Sequence, residues 1–207
     1  AARDVWEHSG KFIAPNGGVM RTSVLGTMEF NNLEKVIKNT RNACMVTHAD
    51  PRCIASCVAV TISIALMLQG KHMLNNGEQD VERIMKIAHS RAEKEITIPE
   101  HKEELKQHMF SQSLDKLELG APRAIGYTFK CMGAGFWAFR QKNFRQAIQA
   151  ITMEAGDADT NCAVAGALLG CKVGFDKLPQ SWVTGLYHRK WLDNEIKSYF
   201  ALLGLRD

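Results

Sequence analysis

Apolar residues along this chain recur at helical rather than strand spacing, and the pattern predicts a succession of helices. Leu33, Val36, Ile37, Ala43 and Cys44 follow Asn31 and Asn32, either of which can cap, and predict a helix to about Val46. Asp50-Pro51 offers a cap followed by proline at the first helical position, opening a helix that runs to Leu68. That segment is apolar on every face, which places it in the middle of a bundle. Lys71 to Gly77 is polar and turn-rich. Beyond it Val81, Ile84, Met85, Ile87 and Ala88 form a single stripe among charges, the pattern of an outer amphipathic helix. Pro99 starts another, with Leu105 and Met109 inward.

Gly120-Ala121-Pro122 breaks the chain, and an aromatic-rich segment from Gly126 to Arg140 again fits helical spacing. Phe144, Ala147, Ile148 and Ile151 define the next helix. One starting at Asp159-Thr160 carries Ala163, Ala165, Gly166, Ala167 and Gly170, small enough for a second helix to lie very close. Leu178-Pro179 and Gly185 punctuate the stretch after it, and a last helix from about Asp193 carries Ile196, Phe200 and Leu203. At the other end, Gly10, Pro15, Gly17 and Gly18 mark Val5 to Arg21 as a shaped loop. No run alternates over strand length, no internal period recurs and no low-complexity linker divides the chain. The expectation is an all-α fold, residues 1–207 forming a single domain.

Composition adds little to this picture. The 207 residues are 45% hydrophobic and 23% charged, enough to bury a core. The net charge of +4 comes from 26 basic and 22 acidic residues spread along the chain, so no nucleic-acid partner is implied, although an acidic small ligand stays open. The basic run Arg140-Gln141-Lys142-Asn143-Phe144-Arg145 reads as a solvated helix face. None of the six cysteines has CxxC spacing, and they read as reduced core residues of an intracellular, cytoplasmic protein. The N-terminus has no secretory pattern. The uncharged stretch Cys53 to Gly70 contains Ser56, Thr61, Ser63 and Gln69, which favours a buried core helix and no membrane.

Three segments could carry chemistry. Gly156-Asp157-Ala158-Asp159-Thr160-Asn161 sets two carboxylates and a hydroxyl at a loop–helix junction, hard oxygen donors suited to Mg²⁺ or Ca²⁺. Residues two apart share no helical face, so Asp157 and Asp159 converge only where the backbone is not yet helical. The string reads equally as a helix cap, the more economical account of the pattern alone. Pro15-Asn16-Gly17-Gly18-Val19-Met20-Arg21 lets backbone amides approach a phosphate, or is an ordinary turn. Thr47-His48-Ala49-Asp50-Pro51 puts an imidazole just before the apolar helix, where it faces a cleft or serves structure. The chain holds no HExxH, GxSxG, Walker-type or GxGxxG motif.

Taken in order, these segments resemble the ADP-ribosyl-glycohydrolase family, which includes the dinitrogenase-reductase-activating glycohydrolases and the animal ADP-ribosyl-acceptor hydrolases. Asn16-Gly17-Gly18-Val19-Met20-Arg21 looks like the family's NGxxMR loop, and Thr47-His48-Ala49-Asp50-Pro51 is similar to its TH segment. Gly156 to Gly170 looks like its second metal motif and the helix behind it, with Ala155 where a second glycine often stands. Leu178-Pro179-Gln180-Ser181-Trp182 fits the family's closing Pro and Trp.

The resemblance implies a compact orthogonal helical bundle with two Mg²⁺ ions at the floor of a cleft for ADP-ribose. Asp157, Asp159 and Thr160 would be metal ligands, the two aspartates also catalytic. Asn16, Gly17, Gly18 and His48 would contact the ribose and diphosphate. The implied reaction is hydrolysis of the glycosidic bond joining ADP-ribose to a modified protein side chain or small molecule. The resemblance spans the later part of the family domain, whose earlier Thr-Asp-Asp-Thr-like segment is expected from the same gene or from a second chain. A catalytically inactive ADP-ribose-binding or crystallin-like relative is the alternative it leaves.

Overall fold

In the computed structural model, which describes residues 1–205, regular structure is helical apart from two isolated bridges, Pro15 to Tyr127 and Met73 to Gln79. The α-helices are α1 (Ala2–His8), α2 (Val19–Thr22), α3 (Leu33–Met45), α4 (Pro51–Gln69), α5 (Val81–Ala92), α6 (Pro99–Met109), α7 (Thr128–Arg140), α8 (Phe144–Met153), α9 (Ala158–Val173), α10 (Gln180–Thr184) and α11 (Arg189–Leu202). Asn32, Asp50, Asp80 and Asn143 start α3, α4, α5 and α8 by accepting a hydrogen bond from a first-turn N–H. Gly70, at φ 64°, ends α4 in the left-handed conformation that glycine adopts without strain.

The all-round apolar segment becomes the centre of the molecule. Every residue of α4 from Arg52 to Met67 is buried, and α3, α5, α7 and α9 pack on it. It is long and apolar enough to cross a membrane, but 89% of its most apolar stretch is buried among the other helices. The helices α7 and α9 then serve two cores. Phe129, Met132, Phe136, Val164 and Leu168 face α4, while Ala134, Ala138, Ala165 and Leu169 face Ala147 and Ile151 of α8. Gly135 brings α7 and α9 together, because a Cβ there would stand 2.7 Å from Val164 Cγ1.

Four sequence expectations need correction. Val5 to Arg21 is not one loop: α1 occupies its start and α2 its end, and the glycine-and-proline signal governs only the stretch between. α1 buries no residue and is held by the Trp6 indole N–H, which donates to Asp50 at 2.8 Å, a long-range tie that no local pattern shows. The aromatic helix begins at Thr128 rather than Gly126, because the Gly126 carbonyl and Thr128 N–H pair with Asn16 N–H and Ala14 C=O. A second helix, α7, does lie close on α9, but Gly166 and Gly170 are not where it approaches; both receive the Phe144 ring, at 3.8 and 3.5 Å from where a Cβ would stand. The final helix starts at Arg189, ahead of Asp193, and lies on the surface with Ile196 and Phe200 about 40% exposed.

Cys44, Cys53, Cys57 and Cys131 are buried, and Cys162 and Cys171 half-buried, all as free thiols.

Candidate functional site

The glycine loop is built from both sides. Asn16 N–H donates to Gly126 C=O at 2.9 Å, and the Cys53 thiol donates to Pro15 C=O at 3.2 Å, so the loop is strapped to the α7 entrance and to α4. Asn16 C=O accepts from Met20 N–H at 3.2 Å, closing the first turn of α2. Among the described residues the N–H groups of Gly17 and Gly18 donate to no protein acceptor. Both positions need glycine for space. A Cβ on Gly17 would stand 3.0 Å from His48 Nε2, and one on Gly18 would stand 3.3 Å from Cys44 Sγ and 3.4 Å from His48 Cγ.

His48 therefore lies flat against the glycine pair. Its N–H donates to Cys44 C=O at 2.8 Å at the end of α3, and its Nδ1 pairs with the Thr47 hydroxyl at 2.7 Å. Arg21 holds that hydroxyl at 2.6 Å and also donates to Ala43 C=O at 2.9 Å. Burial, and then the Arg21 charge, push the His48 pKa down, which favours the neutral imidazole at neutral pH. Beneath Gly18, the hydrogen bond shared with Cys57, and then burial, push the Cys44 thiol up and keep it protonated. Asp50, next to this segment, is buried in an ion pair with Arg52 at 2.8 Å, and Arg52 reaches on to Phe12 C=O at 3.0 Å.

The third segment comes to the same place at the start of α9. Ala155 and Gly156 stand consecutively at φ 57° and 66°, turning the chain so that Asp157 occupies the N-cap position with φ −89° and ψ 61°, outside helical geometry. The position is a cap, but its carboxylate accepts no first-turn N–H in good geometry. It accepts instead from Asn16 Nδ2 at 2.6 Å, across 141 residues of sequence. Burial pulls the Asp157 pKa up, but hydrogen bonding from Asn16 and the nearness of the Thr160 hydroxyl, Asp159 and the Thr160 N–H outweigh it. The net shift is downward and the group stays ionised. Thr160 is buried, and its hydroxyl lies near the Asp157 carboxylate and 3.6 Å from the Met20 sulfur. Its oxygen lone pairs stay available. Asp159 is exposed on the first turn, and among the described residues both polar atoms of buried Asn161 lack partners.

The structure thus joins Asn16 to Asp157, Met20 to Thr160, and Gly17 and Gly18 to His48. The donor set of two carboxylates and a free hydroxyl oxygen suits a hard cation. Among the described residues no three His, Cys, Asp or Glu side chains gather closely enough to form a metal cluster by themselves. Sequence reasoning passed over Arg21, which sets the Thr47–His48 pair, and Gly126, which straps the loop. Arg21 closes the Asn16–Arg21 motif and was legible there; Gly126 is an ordinary glycine until the fold brings it to Asn16.

A family model described as ADP-ribosylglycohydrolase matches residues 1–206. The chain is similar to the ADP-ribosylhydrolase ARH3 of Homo sapiens, 27% identical over 210 residues that cover 87% of this chain and 57% of that protein. It is also similar to the ADP-ribosylarginine hydrolase Tri1 of Serratia proteamaculans, 21% identical over 194 residues, 91% of this chain and 47% of the relative. A protein of Archaeoglobus fulgidus is 26% identical over 200 residues, 95% of this chain and 61% of its own length. The chain therefore spans about half to three fifths of the length of the curated relatives it matches.

Proposed function

The chain belongs to the ADP-ribosylglycohydrolase family, and from that premise we propose that it takes part in Mg²⁺-dependent hydrolysis of the glycosidic bond between ADP-ribose and a modified side chain or small molecule. One observation carries the site assignment. Asp157 stands at the cap position of α9, and beyond the nearby hydroxyl and N–H of Thr160 its carboxylate also accepts from the Asn16 amide of the glycine loop. That contact brings the glycine loop and the acidic segment to one place, which supports a ligand site between them.

In this reading Asp157, Asp159 and the Thr160 hydroxyl hold Mg²⁺, two ions being expected in the complete domain. When bound, the metal would orient ribose hydroxyls or a water and stabilise developing charge. The chain's own groups do the rest. Gly17 and Gly18 present N–H groups to the diphosphate, and neutral His48 offers a ring nitrogen to a ribose hydroxyl. Asn16 keeps Asp157 ionised and aimed. In the reaction water adds to the anomeric carbon of the distal ribose as the bond to the side-chain nitrogen or oxygen breaks, and that leaving atom gains a proton.

A non-catalytic ADP-ribose-binding reading draws on the donor count, since three oxygen-bearing side chains fill only part of the octahedral shell that Mg²⁺ demands. Release of ADP-ribose from modified arginine and serine peptides, with Mg²⁺ and after chelation, separates the two. Wild type should release it only with metal, and Asp159→Asn should not. Equal release by both proteins defeats the site assignment; ADP-ribose binding with no release by either supports the second reading.

A further inference from the structure

A cavity of about 980 Å³ opens at the end of α9 far from Asp157. The intervening helix has 16 residues, so the two places are roughly 24 Å apart. Five cations line the cavity, namely Arg140, Lys142, Arg145, Lys172 and Lys177, against one carboxylate, Glu78. Even with Glu82 neutralising Arg140, the cavity keeps an excess of cations, which makes it a positive region of the surface. The basic run at Arg140 to Arg145 forms a wall of a concave site.

Three of the five cations, Lys142, Arg145 and Lys177, have no close carboxylate partner among the described residues. Lys142 lies 3.9 Å from Glu78 with its side chain 87% exposed, beyond a close contact, and Lys177 has no carboxylate partner among the described residues. Arg140 spends its ε N–H on Glu82 at 2.8 Å and its Nη1 reaches Ser111 C=O at 3.4 Å, while its buried Nη2 has no acceptor among the described residues. Arg145 is fixed in place, stacked 4.4 Å over the Trp182 ring and donating to the Ser181 hydroxyl. Lys172 donates to the Phe139 and Gln141 carbonyls at the end of α7, and burial pulls its pKa down to about 8. A nearby anion would oppose that shift. Phe144, Val173 and Pro179 make part of the lining apolar. A bare phosphate fills little of such a volume, whereas an organic anion uses both the cations and the apolar wall.

We propose that this cavity is a second ligand site, for a nucleoside di- or triphosphate, with the phosphates among Lys142, Arg145 and Lys177 and the nucleoside against Phe144 and Val173. The site is separate from the one that begins at Asp157, and the test must tell them apart because both would accept a nucleotide.

Calorimetric titration with adenosine triphosphate and with inorganic tripolyphosphate, in low salt with chelator present, provides it. With the chelator withholding metal from the Asp157 site, wild type should bind one adenosine triphosphate per chain at the cavity, with tripolyphosphate at least threefold weaker. The double variant Lys142→Glu/Lys177→Glu, at two exposed positions, should lose at least tenfold in affinity with an unchanged melting temperature. The neutral pair Lys142→Gln/Lys177→Gln should lose an intermediate amount, while Asn16→Ala should bind within twofold of wild type. Binding lost in Asn16→Ala but kept in the charge-reversed variant overturns the proposal. So does equal affinity in all variants, or no saturable binding. Tripolyphosphate binding as tightly as the nucleotide overturns the nucleoside contact.

Discussion

Gly156 decides where the Asp157 carboxylate stands, and replacing it with alanine tests that directly. At φ 66° an L side chain is strained by roughly 1–2 kcal/mol. The added Cβ would also stand 2.1 Å from the Leu119 carbonyl oxygen and 2.9 Å from its carbon. That neighbour is backbone, so it cannot rotate away; the segments at 119–120 and 155–157 must separate by more than about 1 Å, and overpacking of this kind costs about 1–3 kcal/mol. Alanine recovers roughly 0.4–1 kcal/mol by restricting the unfolded chain. The net expectation for Gly156→Ala is a loss of about 2–4 kcal/mol, read as a fall of about 1 M or more in the urea midpoint at unchanged slope. Ala155→Gly is the matched control. It shares the left-handed backbone, at φ 57°, so relief of strain and the opposing unfolded-state entropy leave a gain of up to about 1 kcal/mol. Gly156→Ala within about 0.5 kcal/mol of wild type, or Ala155→Gly as damaging as its neighbour, would refute the reasoning.

Asp50→Ala removes the acceptor for Arg52 and Trp6 together and leaves a guanidinium buried without its partner, so stability should fall by about 3–5 kcal/mol in chemical denaturation, with Arg52→Met in the same chain recovering part of it. A loss under about 1 kcal/mol would mean the pair is open to solvent. Mg²⁺ at ten times its dissociation constant should stabilise wild type by about 1.4 kcal/mol and leave Asp157→Asn/Asp159→Asn unmoved in a thermal shift; equal shifts would place the ion elsewhere. Lys172 has a folded pKa of about 8, below its ordinary 10.5. The unfolded chain therefore binds the proton more tightly between those values, so this group's contribution to stability rises with pH from about 8 to 10.5 and is lost as pH falls through 8. Lys172→Met should flatten the stability–pH curve in that window, and an unchanged slope would contradict the shift.

The sequence by itself determined the helical class and the starts of α3, α4 and α6. Asn32 and Asp50-Pro51 act on amides within one turn of themselves, and a short-range interaction is written in short-range sequence. It also marked α4 as the central helix, since a segment apolar on all sides has nowhere else to go. The three chemical segments were visible as strings, each with a plain structural alternative. Tertiary structure decided what each does. Asp157 sits at the cap position of α9, and only the approach of Asn16 from 141 residues away ties its carboxylate to the glycine loop. α1 has no buried face to announce it and forms where Trp6 can reach Asp50. The basic run ending at Arg145 is charged on any reading, but whether it faces open water or a cavity depends on the 73–79 loop and the end of α9 arriving opposite it. Contacts between distant parts of the chain are set by the packing of whole helices, and no local window contains both partners.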